Sequence, residues 1–166
     1  MNKQANIHGS PSPFIASPPY ELTVCRLGQQ KVALPSEFIQ EVLHSPVVYQ
    51  RQQGDHQCYA GTMDLRGLQL PTFHLGHLLH LPDLLTIYGQ KVLVCRLLDF
   101  RVGLLVDAIL ENISLPPDFI QPNPTSSRNH TTFFNKAAWL GSEQMLPILE
   151  MNLLTSQLQH LMYTLH

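Results

Sequence analysis

The sequence predicts an all-β protein with minor helices, built from two similar small β-units. Two observations predict this class. Short segments alternate apolar with polar residues, which is the period of half-buried strands, and turn residues separate these segments. The same pair of hairpins also occurs twice along the 166-residue chain, which is the signature of a repeated structural unit.

The first hairpin begins at Tyr20, where apolar and polar residues start to alternate. Gly28 begins a turn, and residues 31–34 return as the second strand. Pro35 ends this strand, and Ser36 is predicted to cap a short internal helix. Apolar residues four positions apart support that helix, and they are Phe38 with Val42 and Ile39 with Leu43.

The second hairpin turns at Arg66 and Gly67. Residues 59–65 precede this turn and residues 68–75 follow it. Pro71 lies within the return strand, which favours the edge of a sheet because proline cannot donate to a central ladder. The two hairpins together are predicted to form the first β-unit.

The second half of the chain repeats both hairpins. The first hairpins of the two halves match at two places, at the same distance along the sequence. The second hairpins match at a third place, where the distance along the sequence is larger. These matches are residues 24–27 with 94–97, residues 31–34 with 101–104, and Leu70-Pro71 with Leu146-Pro147. The larger offset fits an insertion within residues 121–132, which are rich in Pro, Ser, Thr and Asn.

These patterns divide the chain into three parts. Residues 1–19 are proline-rich and are predicted to be a disordered tail. Residues 20–154 are predicted to be the folded domain, with the first β-unit over about 20–88 and the second over about 89–154. Residues 155–166 are predicted to belong to a C-terminal amphipathic helix, because helical spacing relates Leu154, Leu158, Leu161 and Leu165.

Composition argues against several classes of function. Charged residues make up 13% of the chain and the net charge is −2 without a basic block, so nucleic-acid binding is not expected. No signal-peptide core and no apolar run of about 18 residues is present, which predicts a cytoplasmic protein without direct membrane insertion. A reducing compartment also fits the three widely spaced cysteines, Cys25, Cys58 and Cys95.

No constellation of residues predicts catalysis or a metal site. The G-x-S-x-G motif of a nucleophile elbow is absent, and Cys25 and Cys95 lie within strands, where a thiol packs as a small apolar group. His74, His77 and His80 are spaced three apart, but His74 ends a strand, so the three are not expected to share a face. The sequence therefore predicts no enzyme and no metal site.

Five blocks of sequence occur in the same order as in the CheW-type domains of chemotaxis coupling proteins, which the chain resembles over roughly residues 20–154. The run from Gly61 to Pro71 carries Asp64-Leu65-Arg66-Gly67, similar to the family's N-L-R-G, followed by an apolar-Pro strand. The other blocks are Ala33-Leu34-Pro35 with Ile39-Gln40-Glu41-Val42, Val102-Gly103-Leu104-Leu105-Val106-Asp107, Leu115-Pro116 with Ile120-Gln121-Pro122, and Pro147-Ile148-Leu149-Glu150 with Leu153-Leu154.

The resemblance implies two five-stranded, SH3-like β-barrel subdomains around a shared interface. It also implies an adaptor in chemotaxis-type signal transduction, without catalysis or cofactor, that is recruited to membrane-associated receptor arrays. Such an adaptor binds the cytoplasmic tip of a chemoreceptor and a CheA-like histidine kinase. By this resemblance receptor binding is expected at Glu41, Arg66 and Gly67. Kinase binding is expected at Val102, Leu104, Val106 and Asp107.

Some alternatives stay open. His74 and His77 stand where the family has an acidic residue and an arginine, and Asp64 stands where it has asparagine. These departures leave open an adaptor of a pilus, twitching or other specialised chemosensory array. A β-barrel that binds a small apolar ligand is a third possibility. Asp107 is either a contact residue or a strand end that is solvated or caps a local turn, and Trp139 is either a core residue or an interface anchor.

Overall fold

Strands dominate the part of the chain that the computed structural model describes, which is residues 17–44, 57–81, 90–125, 133–141 and 144–164. The prediction of a mostly β protein is confirmed. The strands are β1 Tyr20–Leu27, β2 Gln30–Pro35, β3 Ile39–Leu43, β4 Tyr59–Leu65, β5 Leu68–His74, β6 Lys91–Leu97, β7 Phe100–Val106, β8 Ala108–Leu115, β9 Ile120–Pro122, β10 Lys136–Trp139 and β11 Met145–Ile148; the helices are α1 Leu75–Leu78 and α2 Met151–Thr164.

The predicted hairpins β1–β2, β4–β5 and β6–β7 are all confirmed as antiparallel pairs. Residues 1–16 of the predicted tail lie outside the described residues. Residues 126–132 of the predicted insertion also lie outside them. The C-terminal helix begins at Met151, four residues before its predicted start, and Leu165 and His166 lie outside the described residues. Among the helices described, none is long and apolar enough to cross a membrane.

The prediction of a helix after Pro35 is wrong. Only Ser36–Phe38 forms a short 3₁₀ turn, and Ser36 makes no capping hydrogen bond. The next residues form β3, which pairs with β6 through Val42 opposite Leu93. Pairing with a distant strand outweighs the helical spacing here, because β-branched residues such as Ile39 and Val42 suit a pleated surface.

The two sheets do not follow the two halves of the sequence. The six-stranded sheet has the order β8-β1-β2-β11-β10-β9, and the five-stranded sheet has the order β3-β6-β7-β5-β4. Each half therefore contributes its first hairpin to the sheet of the other half. This corrects the expectation that residues 20–88 and 89–154 fold as separate β-units. The physical reason is that two short links, Ser36–Phe38 and Asp107, carry the chain from one sheet to the other.

The exchange is symmetric at the level of paired residues. In the five-stranded sheet, β5 runs parallel to β7 with Thr72 opposite Gly103. In the six-stranded sheet, β11 runs parallel to β2 with Ile148 opposite Ala33. A further repeat that the sequence analysis missed supports the symmetry. Each copy forms a 3₁₀ turn followed by a strand, and the two copies are residues 34–40 (LPSEFIQ) and residues 115–121 (LPPDFIQ).

Three groups of buried side chains hold the sheets. A central cluster combines both sheets and the C-terminal helix, and it includes Cys25, Leu34, Phe73, Leu104 and Leu154. The five-stranded sheet curls around a second cluster of Ala60, Met63, Leu65, Leu70, Val92, Val94 and Leu105. The six-stranded sheet curls around a third cluster of Leu22, Val24, Ala33, Ala138, Leu146 and Ile148.

Gly103 is required by the close approach of β5 to β7. A Cβ atom at this position would lie 2.8 Å from Thr72 Oγ1 and 3.0 Å from Val92 Cγ1. Both neighbours are buried and β-branched, so their χ1 rotation is restricted. The equivalent position in the other sheet is Ala33, where a methyl group is accommodated.

We expect Gly103→Ala to lower the free energy of unfolding by about 1–3 kcal/mol, because the added methyl overpacks a closed site. Urea unfolding measures this change. Thr72→Ala removes the nearest clashing atoms. It should therefore lower the free energy of unfolding less in the Gly103→Ala protein than in the natural chain. A Gly103→Ala protein as stable as the natural chain would show that β5 and β7 can separate freely.

The cysteines differ in accessibility. Cys25 and Cys95 are completely buried, as predicted, and burial raises the pKa of each thiol to about 12, with the charge of Cys25 as a second cause at Cys95. Cys58 is half-buried, and its pKa is also raised by burial.

A thiol reagent such as Ellman's reagent should therefore distinguish Cys58 from the other two cysteines. At pH 8 a thiol of pKa about 12 is ionised in about 1 of 10⁴ molecules, and the thiolate is the reacting species. We expect one fast-reacting thiol per native chain and three in denaturant, with Cys58→Ser removing the native reaction. Rapid native labelling of Cys25 or Cys95 would contradict the burial described here.

Candidate functional site

The turn between β4 and β5 is a two-residue hairpin loop that presents Arg66 to solvent. Leu65 and Leu68 are paired across it, and Arg66 and Gly67 have φ angles of 50° and 86°. Positive φ at both central residues is the type I′ arrangement, which matches the right-handed twist of the strands. A Cβ at Gly67 would meet no atom within 4 Å, so its conformation, rather than lack of space, favours glycine there.

Arg66 and Glu41 form an ion pair with two parallel hydrogen bonds. Arg66 Nη2 donates to Glu41 Oε2 at 2.5 Å, and Nη1 donates to Oε1 at 3.3 Å. The structure thus brings together two of the three residues at which receptor binding is expected. Their side chains are 71% and 32% exposed, so the pair lies on the surface, where another molecule can reach the guanidinium.

The electrostatics of the pair follow from its geometry. The hydrogen bond from Arg66 is the main cause that lowers the pKa of the Glu41 carboxyl, desolvation opposes it, and the positive charges of Arg66 and Arg101 add to the lowering. The same hydrogen bond raises the pKa of the Arg66 guanidinium. Both groups are therefore charged at neutral pH.

The ion pair joins the two edge strands of the five-stranded sheet, β3 and β4, and we call the place where it joins them the seam. Glu41 belongs to β3, and Arg66 directly follows β4. Beneath the pair, Leu43 of β3 packs against the cluster to which Met63 and Leu65 of β4 belong. The pair thus connects two strands that share no ladder in this sheet.

One end of the five-stranded sheet exposes two leucines, and we call it the leucine end. Because β5 and β7 run parallel with Thr72 opposite Gly103, the turns that precede them lie at the same end. Leu68 is 45% exposed and Leu98 is 73% exposed. Beside them is an open depression of about 350 Å³, lined by Leu68, Gln69, Leu70, Asp99 and Arg101.

Leu98 adopts an uncommon conformation for leucine, with a φ of 54°. A non-glycine residue at positive φ is strained, and an apolar side chain in water gains no burial energy. Neither feature stabilises the fold, so Leu98 is a candidate for contact with another molecule. Leu98 is not among the residues predicted from the sequence, although an apolar residue next to Asp99 in the turn between two strands is a signal for it.

Three of the residues expected to bind the kinase do not reach the surface. Val102, Leu104 and Val106 are at most 1% exposed and belong to the central cluster. Their assignment as contact residues is therefore corrected, because β7 lies between β6 and β5 and is covered on both faces.

Asp107, the fourth of these residues, links the two sheets. Its Oδ2 accepts a hydrogen bond from the Gly28 backbone N–H at 2.5 Å, and its own N–H donates to the Arg26 carbonyl at 3.1 Å. Asp107 therefore caps the turn between β1 and β2, which lies far from it in sequence. Of the two roles considered for it, the cap is the one with observed contacts.

The remaining residues singled out from the sequence lie elsewhere. Asp64 is exposed and accepts a hydrogen bond from Gln69 at 3.2 Å. Trp139 is half-buried in β10. The rings of His74 and His77 contact each other edge to face. Within the described ranges, no three His, Cys, Asp or Glu side chains group as metal ligands.

Comparison with known proteins identifies the family. No curated protein sequence matches the chain. Among solved structures, the chain is similar to the scaffolding protein TtCheW from Thermoanaerobacter tengcongensis, with 22% sequence identity and a TM-score of 0.70 over 80% of this chain and 89% of that one. This likeness concerns the fold. The family model for the CheW-like domain matches residues 21–159, which is most of the sequence, and the chain therefore belongs to the CheW-like domain family.

Proposed function

We propose that this protein is a non-enzymatic adaptor that couples chemoreceptors to a CheA-like histidine kinase within membrane-associated arrays. Membership of the CheW-like domain family supports this class of function. The observation that carries the proposal for this chain is the Glu41–Arg66 ion pair, because it lies exposed at the positions of two family motifs. The filled interiors of both sheets favour an adaptor over a carrier of apolar ligands.

The proposed mechanism needs binding but no chemical step. An adaptor that holds receptor and kinase at once lets a change in the receptor alter the relative stability of two kinase states. The strength of this effect is the coupling free energy between the two binding sites. Both surfaces must therefore be rigid, and the curled five-stranded sheet provides such a support.

The receptor surface is proposed at the seam, around Glu41, Arg66 and Gly67. A guanidinium held by one carboxylate keeps further N–H donors in a fixed orientation. These donors suit carboxylate or carbonyl groups on a receptor helix. Gly67 contributes by allowing the turn that places Arg66, and it leaves the surface beside the guanidinium open.

The kinase surface is proposed at the leucine end. Leu98 and Leu68 are apolar anchors, and Asp99 and Arg101 form a charged rim around the depression. Apolar anchors within a polar rim are typical of protein interfaces. An exposed end of a related β-barrel in the kinase is the expected partner surface. This replaces the buried residues of β7 as the proposed contact.

Arg66→Ala should weaken receptor binding by at least about tenfold, the loss expected when a desolvated charged contact is removed from an interface. Arg66→Lys should weaken it as well, because lysine cannot form two parallel hydrogen bonds. Binding to receptor-tip fragments in nanodiscs measures the effect, and the melting temperature should change by only a few degrees since the pair is exposed.

Lys136→Ala provides a matched control, because it removes an exposed cation from the six-stranded sheet. The exchange Glu41→Arg with Arg66→Glu should recover part of the lost receptor binding. Normal receptor binding and kinase control by Arg66→Ala would refute the role proposed for this pair.

Leu98→Asn should weaken kinase binding by about tenfold and leave receptor binding unchanged. Asparagine tolerates positive φ better than leucine, so this variant should fold at least as well as the natural chain. Calorimetric titration with the regulatory domain of the kinase measures the affinity. Tyr163→Asn, at an exposed position of α2 (86% exposed), is the control. If Leu98→Asn lost affinity for kinase and receptor equally, the kinase surface would lie elsewhere.

A further inference from the structure

Two imidazole rings meet where β5 passes into α1. The ring centres of His74 and His77 are 5.3 Å apart, and the planes are inclined at 88°. Both side chains are half-buried, so each is partly accessible to solvent. The spacing in the sequence predicts no shared face for these histidines, because His74 ends a strand; the direct passage from β5 into α1 nevertheless brings the two rings together.

Rigid backbone holds both residues. His74 is the last residue of β5, opposite Leu105 of β7, and its N–H donates to the Cys58 carbonyl at 2.7 Å. His77 lies in α1, whose neighbouring residues Gly76 and Leu78 are buried. The distance between the two Cα positions is thus fixed by packing that does not involve the imidazoles. Such support is what a metal site requires of its ligands.

The ring separation fits coordination of one ion. A tetrahedral zinc ion holds imidazole nitrogens at about 2.0 Å, which places the centres of two coordinated rings about 5 Å apart. The χ2 angle of histidine is broadly distributed, and a ring that makes a hydrogen bond through one nitrogen keeps the other as a metal ligand. We infer that His74 and His77 form a binding site for a divalent transition-metal ion that favours nitrogen ligands, such as Cu²⁺, Ni²⁺ or Zn²⁺.

The chemistry of imidazole determines which ions the site accepts. Imidazole suits copper, nickel and zinc, and affinity rises from nickel to copper; Mg²⁺ and Ca²⁺ prefer oxygen ligands. Water completes the coordination of an ion held by two protein nitrogens. Because only neutral imidazole binds, protons compete with the ion, and affinity should fall at acidic pH.

The test uses the full-length chain without a histidine tag. Isothermal titration with NiCl₂, CuCl₂ and ZnCl₂ at pH 7.5 should give one site per chain with the order Cu²⁺ tighter than Ni²⁺. His77→Ala and His74→Asn should each weaken this site by at least about tenfold, since one of two protein ligands is lost. The bound ion should raise the melting temperature of the natural chain and of neither variant.

Two matched controls test the location. His80→Ala removes the next histidine along the chain, and His160→Ala removes one from the exposed part of α2; both should bind nickel as the natural chain does. In nitrogen NMR spectra, the imidazole chemical shifts of His74 and His77 should change together on addition of Zn²⁺. The proposal is overturned if the natural chain binds no more tightly than His77→Ala, or if either control loses affinity equally. These readouts concern the ion alone, so they are independent of adaptor function.

Discussion

The exchange of hairpins between the two sheets is the constraint on which the rest of the structure depends. Neither half of the chain completes a sheet from its own strands, and the parallel pairs β5–β7 and β2–β11 join segments from different halves. The central cluster lies between the sheets and takes side chains from both. Loss of packing in one sheet is therefore transmitted to the other, and the two subdomains are expected to unfold together.

Local features of the sequence predicted the local features of the fold. Alternation identified the hairpins, and Arg66-Gly67 identified a tight turn, because strand period and turn chemistry are set by neighbouring residues. The helix after Pro35 failed for a related reason, since Ile39 and Val42 suit a helix face and a strand equally by spacing. Only the distant partner β6 decides between the two structures, and no short pattern in the sequence reports that partner.

The residues of the candidate site also divide into those that the sequence predicts and those that it does not. The family motifs assigned Glu41 and Arg66 to one surface, and the structure shows that the two side chains form a bidentate ion pair. The run Val102-Gly103-Leu104-Leu105-Val106 was assigned to a binding surface, although it contains no polar residue. An unbroken apolar run indicates a strand that is covered on both faces, so the sequence contained the evidence for its burial. Leu98 is exposed but lies outside every family motif, so no motif indicated it as a contact residue.

The symmetric exchange has a consequence for how such a chain could arise. A single repeat leaves its first hairpin without the strands that complete the sheet, whereas two identical repeats can complete both sheets by trading hairpins. The present chain thus has the architecture of a domain-swapped dimer whose two protomers are joined covalently. Joining them replaces a concentration-dependent association by an intramolecular one with a high effective concentration. The duplicated halves are then free to diverge, and among the described residues the ion pair, the leucine end and the histidine pair all lie at the five-stranded sheet.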